Sequence, residues 1–319
     1  MKRSPSPGAR SQSVSAGPGS RRSLGAAAVC ALVAGLGCST AVSGEPGGDE
    51  LGATRALIRI ERIETLAPDG ARAYALAHFA QVKGAAPRHT LELLDLGEAL
   101  PEVGSCIDGR SGEAPDAWST TGQVELLEAG EVTISTPTQV TSLAPRAFPT
   151  VRDLVSGVVY SSRDQAAEPL PSGTPYRVSA SGSSVFAPID VMAEAPEALS
   201  EVYVGGLSLS ELSELPLAGS VPLRWAPSDS VRGQAGAAGQ AGDWVVFELT
   251  DGLSRVVCSF DDRAGKGVVP SGVIESSGLT GGSATLSLHR VRVATFGDEA
   301  STLGEIRFDF EIAAPVQLR

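Results

Sequence analysis

Three histidines, His78, His89 and His289, and two cysteines far along the chain, Cys106 and Cys258, are the scarce reactive side chains of this sequence. Acyl transfer needs a serine held on a strained turn, with a histidine and an acid to activate it. No G-x-S-x-G occurs, and serine is abundant, so no single serine stands out. His289 falls where the alternation of a predicted strand slips. A β-bulge there would re-aim its side chain toward a site, but no nucleophile is assigned to it. His78, in Tyr74-x-Leu76-x-His78, reads as a half-buried strand residue. No histidine pair has ligand spacing and no C-x-x-C exists, so no metal or cofactor is expected.

Asp261-Asp262-Arg263-Ala264-Gly265-Lys266-Gly267 superficially resembles a calcium loop. It lacks acids at alternate positions and a closing glutamate. Gly265-Lys266-Gly267 is no phosphate loop, because neither serine nor threonine follows the lysine. A hairpin turn is expected there. Glycoside hydrolysis needs two facing carboxylates, and 37 acids offer too many pairs to choose one. Trp225 and Trp244 sit in predicted strands and are expected in the core, whereas Trp118, in the loop 114–122, is the aromatic best placed for a surface. Cys258 shares strand parity with Val256 and Phe260, and Cys106 lies in a loop. In an oxidising compartment the two invite a bridge. The alternative is a buried, inert thiol at Cys258.

The elements that must position these residues read as strands. Apolar Ile306, Phe308, Phe310 and Ile312 alternate with Glu305, Arg307, Asp309 and Glu311. Period two places the first set in a core and the second in water. Residues 283–296 alternate too, with Leu286 and Leu288 on one parity and Val291 and Val293 on the other. Pro188 makes 185–192 an edge strand at best, and 96–123 reads as a long loop. Turn residues break the chain about every 8–12 residues, as in β-sandwiches. The fold class is therefore all-β, in two sandwich-like units, 52–201 and 202–319, meeting at Ala193-Glu194-Ala195-Pro196-Glu197-Ala198-Leu199-Ser200. Leu223-Arg224-Trp225, followed by strands at 244–249 and 255–260, resembles a fibronectin-III layout, which implies that the early tryptophan plugs an immunoglobulin-like core. GQAGAAGQAG within 232–243 reads as a flexible hairpin insert.

Residues 1–37 stand apart from the fold. Lys2, Arg3, Arg10, Arg21 and Arg22 precede an apolar run at 24–36. This is the layout of an export leader, and the run falls short of the about 20 residues a bilayer span needs. Gly35-Leu36-Gly37-Cys38 resembles a bacterial lipoprotein cleavage site, with glycine where leucine is usual. That resemblance implies cleavage before Cys38, acylation of its thiol, and, from Ser39, an outer-membrane address. Residues 38–51 would form a polar tether. Arg21-Arg22 resembles a twin-arginine signal. Leu127-Glu128-Ala129-Gly130-Glu131-Val132-Thr133, Pro175-Tyr176-Arg177-Val178-Ser179-Ala180-Ser181-Gly182 and Cys258-Ser259-Phe260-Asp261-Asp262 resemble stretches of exported lipoproteins of high-GC Gram-negative bacteria; the resemblance implies address and fold but no activity.

The leader holds five of the 25 basic residues and none of the 37 acids, so the remainder carries a net charge of −17. Such a chain repels phosphate backbones, and nucleic acid is not an expected partner. The expected partner is the membrane, through lipid; a protein or glycan ligand is left open. Among function classes, a non-catalytic envelope lipoprotein that binds or spaces comes first. A hydrolase on a β scaffold and an envelope assembly factor are the alternatives.

Overall fold

Alternating apolar residues with many β-branched neighbours favour pleated strands over helices, and the computed structural model is almost entirely β. It describes residues 53–66, 70–83, 100–110, 123–151, 155–162, 165–166, 170–228, 242–297 and 302–319. In chain order the strands are β1 (Ala53–Thr65), β2 (Ala71–Lys83), β3 (Cys106–Arg110), β4 (Gln123–Leu126), β5 (Val132–Ser135), β6 (Val140–Val151), β7 (Val155–Ser161), β8 (Gln165–Ala166), β9 (Pro175–Ala180) and β10 (Ile189–Glu194). Then follow β11 (Tyr203–Val204), β12 (Leu207–Ser208), β13 (Glu214–Leu215), β14 (Val221–Arg224), β15 (Trp244–Thr250), β16 (Ser254–Asp261), β17 (Lys266–Val269), β18 (Gly282–Phe296) and β19 (Leu303–Leu318). One short helix, α1 (Ser271–Ser276), interrupts the described residues.

Fifteen strands share one mixed sheet, whose path runs β10-β9-β5-β6-β7-β4-β2-β1-β19-β18-β15-β16-β3. A second sheet, β12-β11-β14-β17, is small. The arrangement is all-β and sandwich-like. The first and last strands of the described chain meet at its centre: β1 runs parallel to β19, with Ile58 opposite Ile306 and Ile60 opposite Phe308. Residues Asp49–Arg319 make one compact unit, with two main apolar cores. The first gathers Ile58, Ile60, Phe79, Tyr160, Tyr176, Phe308 and Phe310. The second gathers Trp225, Phe247, Cys258, Leu286, Leu288, Val316 and Leu318. They divide between Ala195 and Leu199, within the segment read as a joint. The long strand β19 serves both, which is why Phe308 and Phe310, although late in the chain, pack in the first core.

Three local expectations are corrected. No bulge occurs at His289: β18 pairs with β19 in one unbroken register from Gly282–Leu318 to Phe296–Gly304. The parity of the apolar residues changes because both faces of this central strand are covered. Leu286 and Leu288 face the second core, while Val291 packs with Val246, Val257 and Leu100 on the opposite face. Arg307 and Asp309 do not face solvent; they are 5% and 6% exposed. The stretch read as one long loop contains β3, which pairs with β16 at the sheet edge. The edge assignment around Pro188 is borne out, since β10 begins just after it and, among the described residues, pairs with β9 alone.

Candidate functional site

The second face of the β1-β19-β18 sheet carries charge instead of a core. Parallel register sets Arg59 beside Arg307 and Glu61 beside Asp309, and antiparallel register sets His289 beside Glu311 and Ser287 beside Ala313. The strip lies between two small apolar clusters, one around Leu57, Val124 and Val155 and the other around Val246, Val257 and Val291. Its members are linked. Arg59 pairs with Glu61 and lies 3.6 Å from Asp309, as does Arg307. His289 Nδ1 is 2.8 Å from Asp309 Oδ1, and its Nε2 is 2.9 Å from Ser287 Oγ. Ser287, His289 and Asp309 thus stand in the order hydroxyl, imidazole, carboxylate, the connectivity of a serine-hydrolase relay.

The electrostatics of the strip decide what this relay can do. Burial alone would lower His289, but Asp309, and further off Glu311 and Glu248, hold it up at about 9. Asp309 is raised by burial and more than compensated by His289, Arg307 and Arg59, down to about 2. Near neutrality the imidazole is therefore charged, and both ring nitrogens donate: Nδ1 to Asp309, Nε2 to Ser287. The Ser287 hydroxyl is left to donate to Glu311, whose carboxyl burial nonetheless raises above the usual range. Glu61 is lifted by burial, against the pull of Arg59, to about 7. A protonated imidazole cannot take the serine proton. The neighbours of Ser287 on its sheet face are Glu248 and Glu311 rather than oxyanion donors, and its strand is laddered on both sides. Arg307 Nε is buried without a hydrogen-bond partner.

On the core side of the same strand, Arg290 and Arg292 form two clamps. Arg290 Nε and Nη2 bond Asp262 at 3.1 and 2.9 Å, with both side chains essentially inaccessible. Its remaining donors reach the carbonyls of Glu197, Ala198 and Ala226. Arg292 grips Asp243 through two bonds of 2.6 Å and reaches the carbonyls of Glu194 and Ala195. The guanidinium fork suits such combined carboxylate and carbonyl recognition. Together the two arginines fasten the 194–198 segment across the boundary between the cores.

Of the residues singled out in the sequence, Cys106 and Cys258 form a disulfide between paired residues of β3 and β16, 152 positions apart. His78 is buried, and burial lowers it to about 4, so it stays neutral; its Nδ1 has no partner. Trp225 is core and donates to the Asp262 carbonyl; Trp244 packs against the Val246 cluster. The turn at Asp262–Ala264 is a 3-10 turn between β16 and β17 that buries Asp262. Cys38, His89, Trp118 and the 232–241 part of the glycine-rich insert lie outside the described residues. Sequence reasoning missed Ser287, Asp309, Glu61 and the two clamps. The signal present was parity: Ser287, His289, Val291 and Val293 share one face, so apolar residues flank the polar ones.

Among the described residues no group of His, Cys, Asp or Glu could hold a metal ion, and no helix is long and apolar enough to cross a membrane. The fold and the strip define an all-β, disulfide-bridged protein whose central sheet face is an ionic network. No protein-family profile matches the chain, and no characterised protein matches it in sequence.

Proposed function

We propose that the protein is an exported, lipid-anchored envelope protein whose β fold binds or spaces and does not catalyse. The observation that carries this reading is the disulfide between Cys106 and Cys258, because such bonds persist in oxidising compartments outside the cytoplasm. It agrees with the basic-then-apolar leader ending at Gly37-Cys38. Acylation of Cys38 would anchor the chain, since two or more acyl chains hold stably. Immunoglobulin-like or fibronectin-III-like organisation of the C-terminal strands belongs to the same proposal. The test is mass spectrometry of the mature protein from its native host, with fractionation of a Cys38→Ala variant. An acylated Cys38 and a variant released from membranes support the reading. An unmodified chain beginning elsewhere, or a variant that stays with the membrane, overturns it.

A second reading, a hydrolase, is favoured by the alignment of Ser287, His289 and Asp309. The charge state argued above weighs against it. A fluorophosphonate probe decides: labelling of Ser287 that is lost in His289→Ala supports a hydrolase, and an unlabelled protein supports the non-catalytic reading.

A further inference from the structure

The small sheet has one face in the second core and one in water. Val204, Val221, Leu223 and Val269 are buried, while their neighbours along the strands point outward. Cross-strand partners share a face, so the pairings Ser208–Tyr203, Tyr203–Arg224 and Arg224–Lys266 line up one row over four strands. Pro222 and Val268 form the adjoining row. Tyr203 is 42% and Val268 54% exposed, and Arg224, Lys266 and Pro222 are exposed with them. The hairpin beside Tyr203 is turned by Gly205 and Gly206, both at positive φ (62° and 88°).

Two features of the row call for a ligand. Arg224 and Lys266 are like charges directly opposite one another, a destabilising arrangement. Neither has an acidic partner among the described residues, although acids outnumber bases 37 to 25 in the chain. An anion bridging the two would relieve the repulsion. Beside them, the exposed tyrosine offers a flat apolar face with a polar tip.

We propose that this face, whose two cations act at contact distance although the net charge of the chain disfavours polyanions at long range, is a platform for an acidic polysaccharide. Tyr203 would stack on a sugar ring, and Arg224 and Lys266 would take the carboxylates of the following residues. Neighbouring strands stand about 4.8 Å apart, close to the length of one pyranose unit, so a polymer lying across the strands meets one side chain per sugar. An acidic peptide fits less well, because extended peptides add along a sheet edge and not across its face. Anionic lipid recognition takes clusters of about four to eight cations, and this row has two. The proposal rests on the binding reading of the protein and names the class of ligand.

The experiment is calorimetric titration of the purified protein with polygalacturonate, with dextran as the neutral sugar polymer and polyglutamate as the anion without sugar. Arg224→Ala, Lys266→Ala and Tyr203→Ala are compared with Arg72→Ala, an exposed arginine on another strand, and far-ultraviolet spectra establish that all are folded. Polygalacturonate should bind, dextran should not, and each platform variant should weaken binding at least tenfold while Arg72→Ala leaves it unchanged. Absence of polygalacturonate binding overturns the proposal. Equal binding of polyglutamate with no effect of Tyr203→Ala overturns it in favour of general anion attraction. Neither result touches the envelope reading, which stands or falls on Cys38.

Discussion

Replacing Arg290 should be among the most damaging single changes in the protein. Arg290→Met keeps much of the side-chain volume but removes every donor. Asp262, essentially inaccessible to water, loses its counter-charge, and the carbonyls of Glu197, Ala198 and Ala226 lose a partner. Breaking a buried ion pair on one side costs about 3–5 kcal/mol. Carbonyls left without a bond add to this, at about 1–3 kcal/mol each where water cannot reach them. A loss of about 5 kcal/mol follows, enough to unfold a domain at the low end of the usual range of about 5–15 kcal/mol. Arg290→Lys keeps the charge but not the fork and should lose about 2–3 kcal/mol. Adding Asp262→Asn to Arg290→Met removes the stranded charge and should recover part of the loss. Acid should do the same. Burial already raises Asp262, against Arg290; without the arginine it rises further, and a raised carboxyl favours folding below its unfolded value and opposes it above. Urea unfolding followed by tryptophan fluorescence reads all four, since Trp225 bonds the Asp262 carbonyl. A loss below about 1 kcal/mol, or a double variant no better than Arg290→Met, would refute the clamp.

Removing the disulfide by Cys106→Ala with Cys258→Ala frees a loop of 152 residues in the unfolded chain, and loop-closure entropy puts the cost near about 5 kcal/mol as an upper figure; an unchanged urea midpoint would contradict it. Stability should decline gently from pH 4.5 to 6.5, because Glu61, raised to about 7, and Glu305, Glu311 and Asp262, also raised by burial, lose stability with rising pH, while His78, lowered to about 4, offsets only part of this. From 6.5 toward 9 it should fall by about 3 kcal/mol as His289 loses its proton; a profile still rising over that range would sink the assignment of a charged His289. Asp309→Ala should cost about 3 kcal/mol or more, because it strands His289 and Arg307, whose charge partner it is, whereas Arg307→Met should cost less, because Asp309 keeps His289 and Arg59; the reverse order under urea unfolding would overturn the network.

Period two made the class of the fold and the strongest strand legible. Ile306, Phe308 and Phe310 do face a core. The same rule failed for the residues between them. It assumes that a polar face means water, and here the polar face of β19 is covered as well: Asp309 meets His289, Arg59 and Arg307 rather than solvent. Arg59 comes from β1, over 200 positions away, through a parallel pairing that no local pattern announces. The slip in β18 misled for a related reason. One-sided burial would require a bulge to restore phase, whereas two-sided burial lets apolar residues change faces freely. Cys106 was legible as chemistry but not as structure, because β3 is a five-residue edge strand in a polar stretch.

The relay of Ser287, His289 and Asp309 separates geometry from function. Two hydrogen bonds of 2.8 and 2.9 Å are equally compatible with a base poised to accept a proton and with a cation already holding it. The surroundings make the choice. In a hydrolase the carboxylate orients the imidazole, donors wait where negative charge will develop, and the histidine stays neutral until the reaction charges it. Here Glu248 and Glu311 join Asp309 in favouring the charged ring, and they stand where an oxyanion would meet repulsion. The histidine is thereby the cation at the centre of three acids, balancing with Arg59 and Arg307 a sheet face that carries more carboxylates than bases. Removing two of the acids should loosen this hold: Glu311→Gln together with Glu248→Gln would lower His289 toward its ordinary range. Fluorophosphonate labelling of Ser287 in that variant, absent from the parent, would mean that charge alone silences the relay; continued inertness would place the block in the missing oxyanion donors.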